Sequence, residues 1–373
     1  MKFSNLYIGT LSGTSADSID AALFDIGKKI KVVGSISKKI PQNLKSEIIK
    51  FSNSNKNLYK HPTKKLMKLD VHFAVETADL INRLLTRLKI DKKLIKAIGS
   101  HGQTIQHFPE IENPYSLQIG SPKIISEKTN IKTVGNFRKA NIDNGGIGAP
   151  LTPAFHKEIF FSKKSNRVII NIGGITNITR LIPRKKVIGW DSGPGNCLID
   201  QCVQQFTARK NQFDNRGRIA EKGNIKGLEK VIESFLSQDY FLESLPKSQA
   251  IINFNFKKIS KSKLKKYSFN DWASAMTEIT ALSIVRDLEK FCKAKKVEIY
   301  FCGGGSKNNF LIKRIRDLLN ENYEIKKIND LGIHPMLIEA CTFAWLSKKR
   351  VEKKKIDLIN STGAKPSLLG EIF

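Results

Sequence analysis

Residues 187 to 200, VIGWDSGPGNCLID, bring an apolar strand onto one carboxylate, Asp191. A turn of Gly193, Pro194, Gly195 and Asn196 follows, and then the start of a helix. That order predicts a carboxylate at the carboxyl end of a strand, beside backbone N–H groups free to face an anion. Ligands of open α/β sheets collect at that edge, and such a carboxylate suits a general base in phosphoryl transfer. The plain alternative is an Asp capping the next helix.

Three further glycine-rich turns strengthen the first reading. Residues 6 to 26, LYIGTLSGTSADSIDAALFDI, read as strand, small polar loop and strand. The loop offers Ser12, Gly13, Thr14, Ser15, Asp17 and Asp20: small residues for close backbone approach, hydroxyl donors, and carboxylates able to hold magnesium through water. Residues 167 to 181, RVIINIGGITNITRL, repeat the plan, with Gly173, Gly174, Thr176 and Asn177 at the turn. Residues 297 to 309, VEIYFCGGGSKNN, run a strand into Gly303, Gly304 and Gly305 and then a helix. Any one of these loops alone reads more readily as a β-hairpin or an ordinary strand-to-helix turn than as a ligand loop. The two strand–turn–strand units point to an internal duplication. No GxxxxGK[ST] loop, G-x-G-x-x-G fingerprint or protein-kinase signature occurs.

The elements that must carry these turns follow from periodicity. Strands are expected near 6–10, 21–26 and 31–39, a helix near 42–54, and a longer one over 64–88, where apolar residues fall three and four apart. Strand AIGS leads to HGQT, LQIGSPKIISEKTN ends a strand and opens a helix, and TVGNFR begins the crossing to a second lobe. NIDNGGIGAPLTPAFH is too rich in glycine and proline for regular structure, which favours a functional segment. The second lobe holds strands near 167–190, a helix after Gly195, another near 270–292 and the strand–GGG–helix unit; a final helix near 335–348 ties back to the first lobe. The lysine-rich stretch 243–269 reads as a flexible surface insertion.

With 373 residues and 40% apolar content, two ordinary domains can each bury a core. No run of about eighteen apolar residues predicts a membrane span. The start, MKFSNLYIGT, enters a strand almost at once, leaving no room for a signal peptide. The five cysteines, Cys197, Cys202, Cys292, Cys302 and Cys341, lack metal spacing and read as reduced, packed thiols of a cytoplasmic protein. The formal charge of +30 invites a nucleic-acid reading. Its lysines are instead sprinkled along helices and loops with little aromatic interleaving, and no nucleic-acid-binding signature appears. A positive field would attract anionic small molecules.

The segments GTLSGTSADSIDAAL, GSHGQTIQH, NFRKANIDNGGIGAPLTPAFH, NIGGITNIT, GWDSGPGNCLID, CGGGSKN and IEACTFAWLS stand in the order seen in anhydro-N-acetylmuramic acid kinases. The resemblance runs from residue 6 to about 370. It implies an α/β protein of the sugar kinase, Hsp70 and actin superfamily, in which two ribonuclease-H-like lobes close around ATP and sugar. The lobes are expected at 1–134 plus 345–373 and at 135–344.

The activity implied is ATP-dependent opening of the 1,6-anhydro bridge of 1,6-anhydro-N-acetylmuramic acid, with phosphorylation of O6, in cell-wall recycling. Because O6 carries no proton, the base activates water for attack at C1, and Asp191 matches that base. Glu339 matches a family glutamate near the sugar. The loop Gly13, Thr14, Ser15, Ala16, Asp17, Ser18, Ile19 and Asp20 matches the first ATP phosphate loop, Asp17 and Asp20 reaching Mg2+ through water. Gly173, Gly174 and Thr176 match the second. Gly303, Gly304, Gly305 and Asn308 resemble the adenosine-binding turn. His101 and Gln103 are similar to sugar-contacting residues, and Arg138 suits the lactyl carboxylate or a phosphate. Family members often pair as homodimers, and closure of the lobes on substrate is expected.

The chain departs from the family where Asn136 and Asn141 replace carboxylates, where LPKSQAIINFN lacks the usual Arg-Glu after PKS, and where Pro335 stands in place of an acidic residue. The two asparagines leave open a kinase for another amino sugar, and the charge leaves open a catalytically silent nucleotide-binding protein.

Overall fold

The computed structural model describes residues 4–52, 54, 57–109, 112–249, 251–260 and 264–373. They form two compact units, one running up to Phe155 and including Leu331–Phe373, the other His156–Asp330.

In the first unit, β1 (Leu6–Ser12), β2 (Ser18–Ile26) and β3 (Ile30–Lys39) make an antiparallel meander, and β4 (Ile95–Phe108) runs parallel to β1. β5 (Tyr115–Ile119) folds back on β4, β6 (Thr133–Gly135) lies parallel to β4, and the last strand, Glu371–Ile372, pairs with β6. The order across the sheet is β3-β2-β1-β4-β6. All seven residues of β1 are buried, as expected of a strand covered on both faces. On one face the helix Lys64–Leu88 lays Leu66, Leu69, Phe73, Leu80, Ile81 and Leu84 into the core with Ile8 and Ile98. Thr63 caps it by accepting from the Leu66 N–H, and Lys89 ends it in a left-handed turn at φ 54°. On the other face the helix Ile338–Val351 packs on β1 and β4. Its approach requires Gly9 and Gly99, which are register partners: a Cβ at either would lie 1.7 Å from the Ala340 carbonyl oxygen or 2.0 Å from that of Phe343.

The second unit repeats this plan. β7 (Asn166–Ile172), β8 (Ile175–Leu181) and β9 (Ile188–Pro194) are antiparallel; β10 (Val297–Cys302) runs parallel to β7 and β11 (Tyr323–Lys326) parallel to β10. The order is β9-β8-β7-β10-β11. The duplication suggested by the two hairpins thus extends to whole sheets, each with three antiparallel strands followed by two parallel ones, the ribonuclease-H-like arrangement. The helix Phe269–Phe291 is the spine of this unit, started by a capping box between Ser268 and Asp271. Ala281, Ile284 and Leu288 pack with Val168, Ile170, Trp190 and Ile299 of the sheet. Trp272, Met276 and Ile279 pack with Leu198, Cys202, Phe254 and Phe256.

Several expectations change. β4 does not stop before HGQT but runs on to Phe108, bending at Gly102, whose φ is 75°. The glycine- and proline-rich segment carries two helices, Phe137–Asp143 and Thr152–Phe160, so only its middle is irregular. The helix Phe137–Asp143 packs on β5 and the helix Ile338–Val351 on β1, so residues 135–155 and 331–344 group with the first unit, whereas boundaries at 134/135 and 344/345 assign them to the second. The stretch 243–269 is not a flexible insertion: Lys247, Phe254 and Phe256 are buried, and short helical turns cover Ile251–Asn253 and Phe256–Ser260. Ala250 and residues 261–263 of that stretch lie outside the described residues. All five cysteines are buried and free, and burial pushes the Cys292 thiol up to about 12. Among the described residues no helix is long and apolar enough to cross a membrane.

His156, 2% exposed, places Nδ1 2.9 Å from the Thr179 hydroxyl, and burial pulls its pKa down to about 3. An unfolded histidine titrates near ~6.5. Below that pH the unfolded chain binds a proton that the folded chain refuses. The stability present at neutral pH is therefore lost progressively as pH falls from about 6.5 toward 3. At pH 5 this histidine alone costs about 2 kcal/mol relative to pH 8. Chemical denaturation at both pH values should show His156→Gln losing less stability than the parent by about that amount. Equal losses would mean that the imidazole protonates in place.

Candidate active site

Asp191 lies on β9, the edge strand of the second sheet, and is 4% exposed. Its Oδ1 accepts from the Asn177 amide, its register partner on β8. Its Oδ2 accepts from the Ser248 hydroxyl at 2.6 Å and the Gln249 N–H at 3.0 Å. On its open side the strand is covered by residues 245–249, where the Lys247 carbonyl accepts from the Asp191 N–H at 3.0 Å. The Tyr240 hydroxyl donates to the Asp191 carbonyl. The Asn177, Ser248 and Gln249 donors all address the carboxylate oxygens as acceptors. Beneath it Lys247 and Asp287 form a buried ion pair at 3.1 Å, and the Trp190 indole donates to the other Asp287 oxygen at 2.8 Å. Burial pushes the Asp287 carboxyl up, while Lys247 and Trp190 pull it back.

The turn after Asp191 does not leave its N–H groups free for an anion. Gly195 N–H and Cys197 N–H donate to the Gly174 carbonyl, and Asn196 N–H donates to that of Gly173. The hairpin turn between β7 and β8 consumes them because Gly195 is small enough to let the two backbones touch; a Cβ there would lie 2.3 Å from the Gly173 oxygen. Thr176 is buried and donates to the Pro194 carbonyl at 3.3 Å. Gly303, with φ 76°, and Gly305 abut Asn171, Ile172 and Asn196, so the Gly303–Gly305 turn meets the β7–β8 turn at one end of this sheet. Gly304 is exposed there. Asn308 caps the helix Asn309–Leu318, accepting from the Leu311 N–H at 3.0 Å.

In the first unit the loop after β1 exposes Gly13, Thr14, Ser15 and Asp17, while Ala16 and Ile19 are buried and Ala16 adopts φ 51°. The Gly13 carbonyl accepts from the Ala16 N–H. Asp17 pairs with Lys45, and half-buried Asp20 accepts from the Ser18 hydroxyl. Gln103 is fully buried; its oxygen accepts from Ser12 at 2.6 Å and its nitrogen donates to the Thr104 carbonyl at 3.0 Å. It braces the end of β1. Arg138 Nε lies 3.0 Å from His101 Nε2, and His101 Nδ1 lies 3.1 Å from the Gly102 carbonyl. The imidazole must therefore donate through Nδ1 and accept through Nε2. Burial and then the Arg138 charge pull His101 down to about 3, so it is neutral across the physiological range and serves as a rest for the guanidinium. Phe343 packs on His101 with ring centroids 4.6 Å apart. Half-buried Glu339 lies one helical turn before it, so His101, Arg138 and Glu339 share one region.

Both asparagines have structural work. Asn136 donates to Glu371 at 2.8 Å, a contact that an aspartate would turn into repulsion. Asn141, fully buried, donates to the Thr362 hydroxyl and accepts from the Gly148 N–H, each at 2.9 Å. Sequence reasoning left Asn177, Ser248, Gln249, Lys247 and Asp287 without a role. The PKS segment was the signal for three of them, but its burial depends on partners forty and more residues away.

A doubled sheet of this order, with polar glycine turns at its strand ends and a buried carboxylate beside one, defines the ribonuclease-H-like class of two-lobed phosphotransferases and ATPases. A family model described as anhydro-N-acetylmuramic acid kinase matches residues 5–373, and the chain belongs to that family. Proteins named anhydro-N-acetylmuramic acid kinase include one from Sulfurovum sp. (strain NBC37-1), 37% identical over 372 residues and covering 98% of both chains. Another, from Coxiella burnetii (strain RSA 493 / Nine Mile phase I), is 36% identical over 98% of this chain and 97% of its own. Among solved structures, component A of (R)-2-hydroxyglutaryl-CoA dehydratase from Acidaminococcus fermentans aligns at 10% identity and a TM-score of 0.48, covering 94% of this chain and 100% of that one.

Proposed function

We propose that this chain transfers the γ-phosphoryl group of ATP to O6 of 1,6-anhydro-N-acetylmuramic acid while water adds at C1, giving N-acetylmuramic acid 6-phosphate and ADP in cell-wall recycling. The observation that carries the reading is Asp191, buried at 4% exposure with both carboxylate oxygens oriented by donors. Asp191 takes a proton from water as its oxygen bonds to C1; the C1–O6 bond breaks and O6 receives the phosphoryl group. Both leaving and entering oxygens thus change hands without O6 ever needing a base of its own.

The exposed Gly13–Ser15 loop and the Gly173–Gly174 turn hold the phosphates, and the Gly303–Gly305 turn holds the nucleoside. Arg138, propped by His101, takes the lactyl carboxylate, and Glu339 faces the sugar. Mg2+ keeps most of its waters and takes one or two carboxylates, a demand Asp20 fits with its half-buried carboxylate; Asp17 is engaged by Lys45. Bound with the nucleotide, the ion would offset phosphate charge.

A coupled ATP-consumption assay tests the proposal, comparing the anhydro sugar with N-acetylmuramic acid and N-acetylglucosamine. Turnover is expected with the anhydro sugar, and reaction in 18O water should label C1 and not the phosphate. Label in the phosphate, or preference for either open sugar, would overturn it.

A further inference from the structure

Asp191 sits on an edge strand, so half of its surroundings come from the covering segment 245–249 rather than from a neighbouring strand. Ser248 and Gln249 of that segment supply both donors to Oδ2. The segment is anchored by Lys247, whose side chain is 0% exposed and turns inward to Asp287 on the helix Phe269–Phe291. The same Asp287 carboxylate receives the indole of Trp190, the residue preceding Asp191. One buried carboxylate therefore ties together the strand that carries Asp191 and the segment that orients it. The Lys247 ammonium also lies 5.0 Å from the Tyr240 ring centroid, and Tyr240 donates to the Asp191 carbonyl. Buried ion pairs are poor devices for stability compared with apolar packing of the same volume, and their best use is to fix one arrangement among several.

We propose that Lys247 is a positioning residue: its ion pair with Asp287 sets the 247–249 segment so that Ser248 and Gln249 hold the Asp191 carboxylate at one rotamer and aim. The inference rests on the reading of Asp191 as the base. It assigns Lys247 no contact with sugar or nucleotide.

The test uses the full chain with Lys247→Met, Ser248→Ala, Ser248→Thr and Asp191→Asn, measuring kcat, KM for the anhydro sugar, ATP affinity and thermal unfolding. Lys247→Met and Ser248→Ala should each lower kcat by about 30- to 100-fold, the scale of a displaced catalytic group. KM and ATP affinity should stay within about three-fold, a split that general loosening of the fold would not give. Ser248→Thr, which keeps the hydroxyl, should recover most of the loss. If either Lys247→Met or Ser248→Ala folds and keeps kcat within about three-fold of the parent, the inference fails. If Lys247→Met does not fold, Ser248→Ala, which leaves the ion pair intact, decides alone. Normal turnover by Asp191→Asn would sink the base reading itself; an inactive Asp191→Asn beside normal Ser248→Ala would sink only the positioning role.

Discussion

Asp191→Asn is expected to lower kcat by at least about 10³-fold while leaving ATP affinity within a few fold. A positioned general base contributes about 10²–10⁴ in rate, and here the base must also strip water, a weaker acid than the sugar hydroxyls other kinases deprotonate. The amide keeps the size of the side chain, so the backbone of β9 and its pairing to Asn177 and Lys247 need not move. It does replace one acceptor oxygen with a donor NH2 in a place where Asn177, Ser248 and the Gln249 N–H all donate. At least one buried donor then faces another, at a cost of about 1–3 kcal/mol in stability. Turnover measured with the anhydro sugar, alongside calorimetric titration with ATP and a melting curve, separates these effects. Parent-like turnover would remove Asp191 from the chemistry. Lost turnover with ATP affinity lost as well would mean that the substitution damaged the fold.

The pattern of what could be read from sequence follows the range of the interactions involved. The helix Lys64–Leu88 and the strand–turn–strand units are written in local periodicity and turn chemistry, and the structure has them where those signals lie. Asp191 was legible for the same reason, since a strand, a carboxylate and a glycine turn are contiguous. The cover over its edge was not. The stretch 243–269 is rich in lysine and weakly periodic, and the burial of Lys247 and Phe256 within it comes with Asp287 and Trp272, both distant in sequence. Lysine at 247 reads as solvated surface until Asp287 is seen beneath it. The free N–H groups expected after Asp191 failed through a similar long-range effect, because the β7–β8 turn reaches across to take them. Gln103 also has a long-range partner that local pattern does not show: β4 continues through it and its amide oxygen accepts from Ser12.

Gly9→Ala should cost the first unit more than about 3 kcal/mol, at or beyond the top of the usual range for overpacking. The added Cβ would stand 1.7 Å from the Ala340 carbonyl oxygen and 2.9 Å from the Ala344 nitrogen. These are backbone atoms of a helix, so no rotamer change relieves the clash and the whole helix Ile338–Val351 must lift from β1 and β4. Gly99→Ala should do nearly as much, since its Cβ would lie 2.0 Å from the Phe343 oxygen. The double variant should fall short of the sum, because either substitution alone already displaces the same helix. Gly13→Ala is the control: nothing lies within 4 Å of its Cβ, and stability should be equal or slightly higher through a stiffer unfolded chain. Urea unfolding with hydrogen exchange resolved along the chain would show faster exchange in β1, β4 and residues 338–351 for the first two variants. Unchanged exchange there would mean that the helix does not rest on the glycine pair. Glu339 stands beside Ala340 on the lifted turn, so substitution of either glycine should displace Glu339 along with the helix.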